Sequence, residues 1–335
     1  MKDFTELKKF LDKHIDNATN TSVIDVFPLP CGIGKSTYLK HKISDCLNSN
    51  KGLIVVTDSL DRLNDYVNDD ELSAYISRNA NRIVILTAEN IEQEVKKIDY
   101  KSVILMSTQR YFGMTAAEIK ALTQYRYGVR DKIIFDEKPY LYENIRIDIS
   151  VVDNIDIALH TVLDNNVNQT EKEWLCNQWQ TFIVKFKSIV KELEVKNTTY
   201  QYDQWYDKLS SVTDNDSEFT RLINKYRSNL NVKDSTLYKK ILAIIQISEN
   251  GARFISYKKS KSTDNCNVNI YDNYFNVIID NRNKVLNVGA KCIVLDGTAA
   301  LLPDYDSDCV NLVDCSRFMK LSILLDTKKS NYFYN

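Results

Sequence analysis

Two short segments carry residue types whose spacing does chemistry. From Val23 to Thr37 the chain reads VIDVFPLPCGIGKST: an apolar run, then the loop Pro30, Cys31, Gly32, Ile33, Gly34, Lys35, Ser36 and Thr37. Gly32 and Gly34 let a backbone come close to an anion and take conformations that other residues resist. Amide N–H groups of such a loop, and of a helix starting behind it, point at phosphate oxygens. Lys35 supplies a point charge for the β- and γ-phosphates, and the Ser36 hydroxyl supplies a ligand for Mg²⁺ beside Thr37. The second segment is KIIFDE from Lys132 to Glu137, an apolar run ending in two carboxylates. There Asp136 suits a magnesium ion held through its water shell, and Glu137 suits a general base that polarises an attacking water. Alone, Asp136 and Glu137 read as a solvated acidic strand end. With the phosphate loop about a hundred residues upstream, they turn nucleotide binding into hydrolysis.

These residues need a frame that brings strand ends together. Short, β-branched runs at Val23–Leu29, Leu53–Thr57, Ile83–Leu86, Val103–Met106 and Ile133–Phe135 alternate with helical patterns. Buried parallel strands joined by crossover helices read this way, so the expected class is α/β with helices on both faces of a mainly parallel sheet. Ligands of such sheets lie outside the carboxyl ends of the strands. From about Ser150 to Gly251 no comparable strand follows. Trp174, Trp179 and Trp205 sit among charges and apolar residues, mostly at helical spacing, and are read as a small helical core rather than a base-stacking surface. Strand patterns return at Arg253–Tyr257 and Tyr274–Ile279, as a hairpin, then at Cys292–Leu295 and Val310–Val313. The expected division is 1–149 for the first part of an ATPase domain, 150–251 for a helical insertion, and 252–335 for the return to the ATPase domain.

Composition bounds the rest. The 335 residues are 44% apolar, enough for a large core, and 44 basic residues nearly balance 45 acidic ones. A strongly basic surface is therefore absent, and any nucleic-acid contact is a local patch. Seven cysteines and three histidines form no CxxC pair or zinc spacing, which fits reduced thiols in a cytoplasmic protein. The opening MKDFTELKKFLDKH is an amphipathic helix without the apolar stretch of a secretory signal, and no apolar run reaches membrane-span length. No membrane partner is expected.

In order and type, these segments resemble a helicase-type P-loop NTPase of superfamilies one and two, in its first RecA-like domain. Leu29 stands where the full loop consensus has Gly, and Pro-x-Gly-x-Gly-Lys-Ser is the helicase-like form of that loop. LIVVTDSL at 53–60 resembles the segment called Ia, VILMSTQRY at 103–111 the strand and Thr-Gln segment before the acidic motif, and CIVLDGTA at 292–299 motif III. The resemblance covers about 20–145 and 285–315. It implies ATP with Mg²⁺, Lys35 and Glu137 in catalysis, Ser36 and Asp136 at the metal, Asp296 and Thr298 near the γ-phosphate, and Thr57, Ser59, Thr108 and Arg110 along nucleic acid, DNA before RNA. Lys138 and Pro139 follow the acidic pair in place of Ala-His or Ala-Asp, unlike the DEAD and DEAH subgroups. No Gln precedes the loop within residues 1–30, so the preference for adenine is the family's.

The resemblance also implies a second RecA-like domain, in cis or trans, which closes the nucleotide cleft. About twenty residues after Cys315 are too few for one, and a longer parent protein or a partner subunit is expected to supply it. Two other functions use the same loop. One is a P-loop ATPase switch that regulates a protein assembly without translocation. The other is a small-molecule kinase, against which the acidic strand end and the Asp296-Gly297-Thr298 turn speak.

Overall fold

A computed structural model describes residues 2–49, 51–87, 95–163, 167–195, 201–206, 216–231, 236–263, 266–299, 302, 305 and 307–318. The chain divides into two units, Met1–Tyr142 with Asp280–Asn335, and Glu143–Ile279.

The first unit is α/β. After helix α1 (Lys2–Asn17) come β1 (Ile24–Phe27), α2 (Lys35–Ser49), β2 (Leu53–Thr57), α3 (Leu60–Val67), α4 (Asp70–Arg78), β3 (Ile83–Leu86) and β4 (Val103–Ser107). Two short helices, Thr108–Phe112 and Ala116–Leu122, lead to the small hairpin β5 (Gln124–Tyr125) and β6 (Gly128–Val129), and then to β7 (Lys132–Asp136). Strands β12 (Lys291–Leu295) and β13 (Val310–Leu312) complete a seven-stranded sheet in the order β13-β1-β12-β7-β2-β4-β3. Its strand pairs are parallel throughout.

The continuous apolar runs are explained by burial on both faces. Side chains alternate between faces along a strand, and the two cores sort accordingly. Leu53 and Val55, Val103 and Leu105, Ile134, and Ile293 and Leu295 pack on one side with α1 and α2. Ile54 and Val56, Ile104 and Met106, Ile133 and Phe135, and Cys292 and Val294 face the other side. Parallel register then lines up the carboxyl ends: Phe27 opposite Leu295, Leu295 opposite Asp136, Asp136 opposite Thr57, and Thr57 opposite Ser107. Everything that leaves these strands does so at one edge.

The second unit has its own sheet, β8-β11-β10-β9, built from β8 (Tyr142–Ile147), β9 (Gln201–Tyr206), β10 (Ala252–Thr263) and β11 (Cys266–Asp280). Among the described residues the helices Ile149–Val162, Gln169–Val195, Asp216–Lys225, Arg227–Asn231 and Leu237–Asn250 accompany it. Its core gathers Trp179, Phe182, Phe186, Phe219, Phe254 and Phe275, with Trp174 partly buried against it. Trp179 stacks on Phe219 at 6.1 Å between ring centres. This differs from the sequence reading in two respects. The hairpin assigned to the returning ATPase domain belongs to this unit, and β8 and β9 were unforeseen. Strand β9 is polar apart from its aromatic residues, so alternation gave no signal. The side chain of Trp205, within β9, lies outside the described residues.

Candidate functional site

Strand β1 runs into the loop, and the loop into α2, whose first helical bond is Tyr38 N–H to Gly34 C=O at 2.8 Å. Gly32 and Gly34 have φ of 78° and 103°, a region that L-residues avoid. A Cβ on Gly34 would also stand 3.0 Å from the Phe4 ring of α1, whereas Gly32 faces open space. No acidic residue lies in the first turn of α2. The loop therefore presents backbone amides and a helix N-terminus without a competing carboxylate on that turn, which suits an anion. Cys31, Gly32, Ser36 and Thr37 are exposed, Pro30 and Ile33 are half-buried, and Lys35 is buried.

Across the edge, β7 delivers the acidic pair. Lys35 Nζ donates to Glu137 Oε1 at 3.0 Å. Glu137 has φ of 95° and donates its N–H to Leu295 C=O at 3.2 Å, so its backbone leaves the strand in a conformation non-glycine residues rarely hold. Asp136 is buried. Its Oδ2 accepts from the Tyr66 hydroxyl at 2.7 Å and from Arg62 at 3.3 Å, while its Oδ1 is buried with no hydrogen-bond partner among the described residues. Burial pushes the Asp136 carboxyl above the usual carboxylate range, against the pull of Tyr66 and Arg62. Tyr66 is held far above the ordinary phenol value by burial and by Asp136. Burial works against the charge on Arg62. Even so, Asp136, Asp58 and Glu137 hold its guanidinium above its ordinary value.

The orphaned Asp136 oxygen is one test of whether Mg²⁺ fits. A buried acceptor without a donor is costly, and a hard cation or its water answers that cost. Ser36, exposed at the start of α2, and Asp136 supply oxygen donors of the kind such an ion takes.

Asp296 follows β12 and is buried. Its Oδ1 accepts from both the Thr298 N–H and the Thr298 hydroxyl at 2.8 Å, and its Oδ2 accepts from Tyr305 at 3.0 Å. Gly297 passes the entrance of the phosphate loop so closely that a Cβ there would lie 2.9 Å from Leu29 C=O. The turn is thus anchored against the loop. The Asp296 carboxylate is committed to this turn, and Thr298 is exposed.

The four residues expected along nucleic acid divide. The Thr57 and Thr108 hydroxyls are buried and donate to backbone carbonyls, of Ser59 at 3.0 Å and of Thr57 at 2.9 Å. The Thr108 bond ties the end of β4 to that of β2, the Thr57 bond closes the exit of β2 on itself, and neither hydroxyl offers a surface in this arrangement. Ser59 caps α3 by accepting the Arg62 N–H, and it is half-buried, as is Arg110.

Arg62 and Tyr66 were missed by the sequence reading. Their signal is an i,i+4 pair on the helix that follows β2 at the carboxyl edge, which places both on one helix face. No family model and no curated protein matches the chain. Comparison with solved structures finds a chain from the structure of S. tokodaii Xpd4 at 13% identity and a TM-score of 0.44. The match covers 92% of this chain and 61% of that one.

Proposed function

We propose that this chain binds a nucleoside triphosphate, ATP with Mg²⁺, hydrolyses it, and serves as the ATPase part of a nucleic-acid motor of the helicase type. One observation carries the reading: Lys35 of the phosphate loop and the strand-end pair Asp136-Glu137 converge at one sheet edge, 3.0 Å apart at Lys35 and Glu137. The loop from Pro30 to Thr37 holds the phosphates through its backbone N–H groups, and Lys35 neutralises the β- and γ-phosphate oxygens. When bound, Mg²⁺ neutralises charge that develops on those oxygens, held by Ser36 and Asp136. Glu137 orients a water and takes its proton as the water oxygen bonds to the γ-phosphorus. The bond to the bridging oxygen breaks, and ADP and phosphate leave. The turn at Asp296 and Thr298, packed on the loop entrance, is the route by which the phosphate state reaches the rest of the motor. Ser59 and Arg110 are the candidates for contact with nucleic acid, DNA before RNA. A second RecA-like domain, in cis or trans, completes the cleft.

The test is the steady-state ATPase rate with Mg²⁺, with chelator, and with added single-stranded DNA or RNA. Mg²⁺-dependent hydrolysis stimulated by nucleic acid is expected. Binding of ATP without hydrolysis, with the second domain present, would overturn the catalytic assignment. Hydrolysis indifferent to nucleic acid, with the second domain present, would instead favour the switch that regulates a protein assembly.

A further inference from the structure

Glu137 Oε1 has two cationic partners, Lys35 at 3.0 Å and Arg62 at 3.4 Å. The first cannot serve two masters: in the reading above, Lys35 turns to the phosphates, which carry far more charge than one carboxylate. Glu137 then depends on what remains. Its backbone, at φ of 95°, is a position that must be held by its surroundings. Its side chain is 27% exposed, so packing alone does not fix it. Arg62 is suited to hold it. The guanidinium reaches Asp136 at 3.3 Å through the same nitrogen, and its Nε lies 3.3 Å from Asp58 on the other side. It is therefore anchored independently of Glu137, on a helix whose first turn is capped by Ser59.

We propose that Arg62 is the positioning residue for Glu137, keeping its carboxylate aimed at the attacking water once Lys35 has moved to the nucleotide. This rests on the reading of Glu137 as base. A rigid fork that bridges two carboxylates does what an ammonium does only in part. Loss of aim at a base costs on the order of 10²-fold in rate.

Wild type, Arg62→Gln and Arg62→Lys are compared for nucleotide Kd, with a fluorescent ATP analogue, and for single-turnover hydrolysis. For Arg62→Gln the expected result is a rate loss of roughly 10²-fold with Kd changed less than about threefold, recovered in part by Arg62→Lys. In a Glu137→Gln background the Arg62→Gln change brings no further loss, because both act through one carboxylate. A third readout needs no hydrolysis: amide exchange across Lys132–Leu141 with Mg²⁺ and a non-hydrolysable ATP analogue. Exchange stays slow in wild type and quickens in Arg62→Gln. Wild-type rates in Arg62→Gln, a Kd loss that accounts for the whole rate loss, full additivity with Glu137→Gln, or unchanged exchange would each overturn the assignment. If wild type fails to hydrolyse even with the second domain present, the base assignment falls, and the exchange readout still decides whether Arg62 holds the segment.

Discussion

Tyr66→Phe removes one oxygen from a buried site and changes almost nothing else. The ring is 2% exposed, and its volume is kept, so no cavity opens. What is lost is the 2.7 Å bond to Asp136 Oδ2. That leaves a buried carboxylate with Arg62 at 3.3 Å on one oxygen and no hydrogen-bond partner on the other. A hydrogen bond to a charged group is worth about 1.5–3 kcal/mol. At 2–4 °C per kcal/mol, a cost of ~2 kcal/mol lowers the melting temperature of a unit of roughly 200 residues by about 4–8 °C. The pH dependence has a definite sign. Burial already raises the Asp136 pKa in the fold, and Tyr66 pulls it down. Removing Tyr66 raises it further, so the variant's penalty is complete above the raised value. It shrinks as pH falls through the variant's raised value and then the wild type's, and is gone where the carboxyl is protonated in both proteins. Thermal or urea unfolding of both proteins, at neutral pH and at progressively lower pH, reads this difference directly. Equal stability at neutral pH, or a penalty that grows on acidification, would refute the account of Asp136 as a charged, underserved acceptor.

Lys35→Ala is expected to weaken nucleotide binding roughly 10–100-fold, the worth of a charged contact. Glu137→Gln should leave Kd intact while hydrolysis falls about 10²–10⁴-fold, and near-normal turnover in Glu137→Gln would remove the base assignment. Gly297→Ala drives a Cβ to 2.9 Å from Leu29 C=O and should cost about 1–3 kcal/mol of stability together with a measurable loss of nucleotide affinity; unchanged melting and Kd would contradict the packing of that turn on the loop. Cys31 is exposed in the phosphate loop, whereas burial pushes the thiols of Cys46, Cys292 and Cys315 up to about 11, 12 and 12. Maleimide labelling followed by peptide mapping should therefore find Cys31 modified well before those three, and ATP should slow its modification.

What the sequence made legible follows from how the site is built. Residues at the ends of apolar strands announce themselves, because a parallel sheet puts every carboxyl terminus on one edge. Asp136 and the loop after Phe27 were placed together by that rule, Asp296 and Thr57 only by the resemblance, and the register sets Thr57 opposite Asp136 and Asp136 opposite Leu295, the residue before Asp296. What a strand end does with its hydroxyl is another matter. Thr57 and Thr108 look identical in sequence to surface contacts. Their hydroxyls turn inward because the exit of each strand leaves a carbonyl within reach, which a linear pattern does not encode. Helix faces are harder still. Arg62 and Tyr66 read as ordinary members of an amphipathic turn, and only the packing of α3 against the edge brings them to Asp136. The second unit was misread for the opposite reason. Its strand β9, with Asp203 and several Gln and Tyr residues, lacks the alternation that marks a half-buried strand, and the hairpin of β10 and β11 pairs with β9 and β8 rather than with the parallel sheet. Strand ends therefore carried the proposed chemistry in the sequence, while Arg62 and Tyr66, which bond Asp136, come from a helix. The consequence is specific: a search for related sites that matches only loop and strand-end residues would miss Arg62 and Tyr66, the two side chains that bond Asp136 Oδ2.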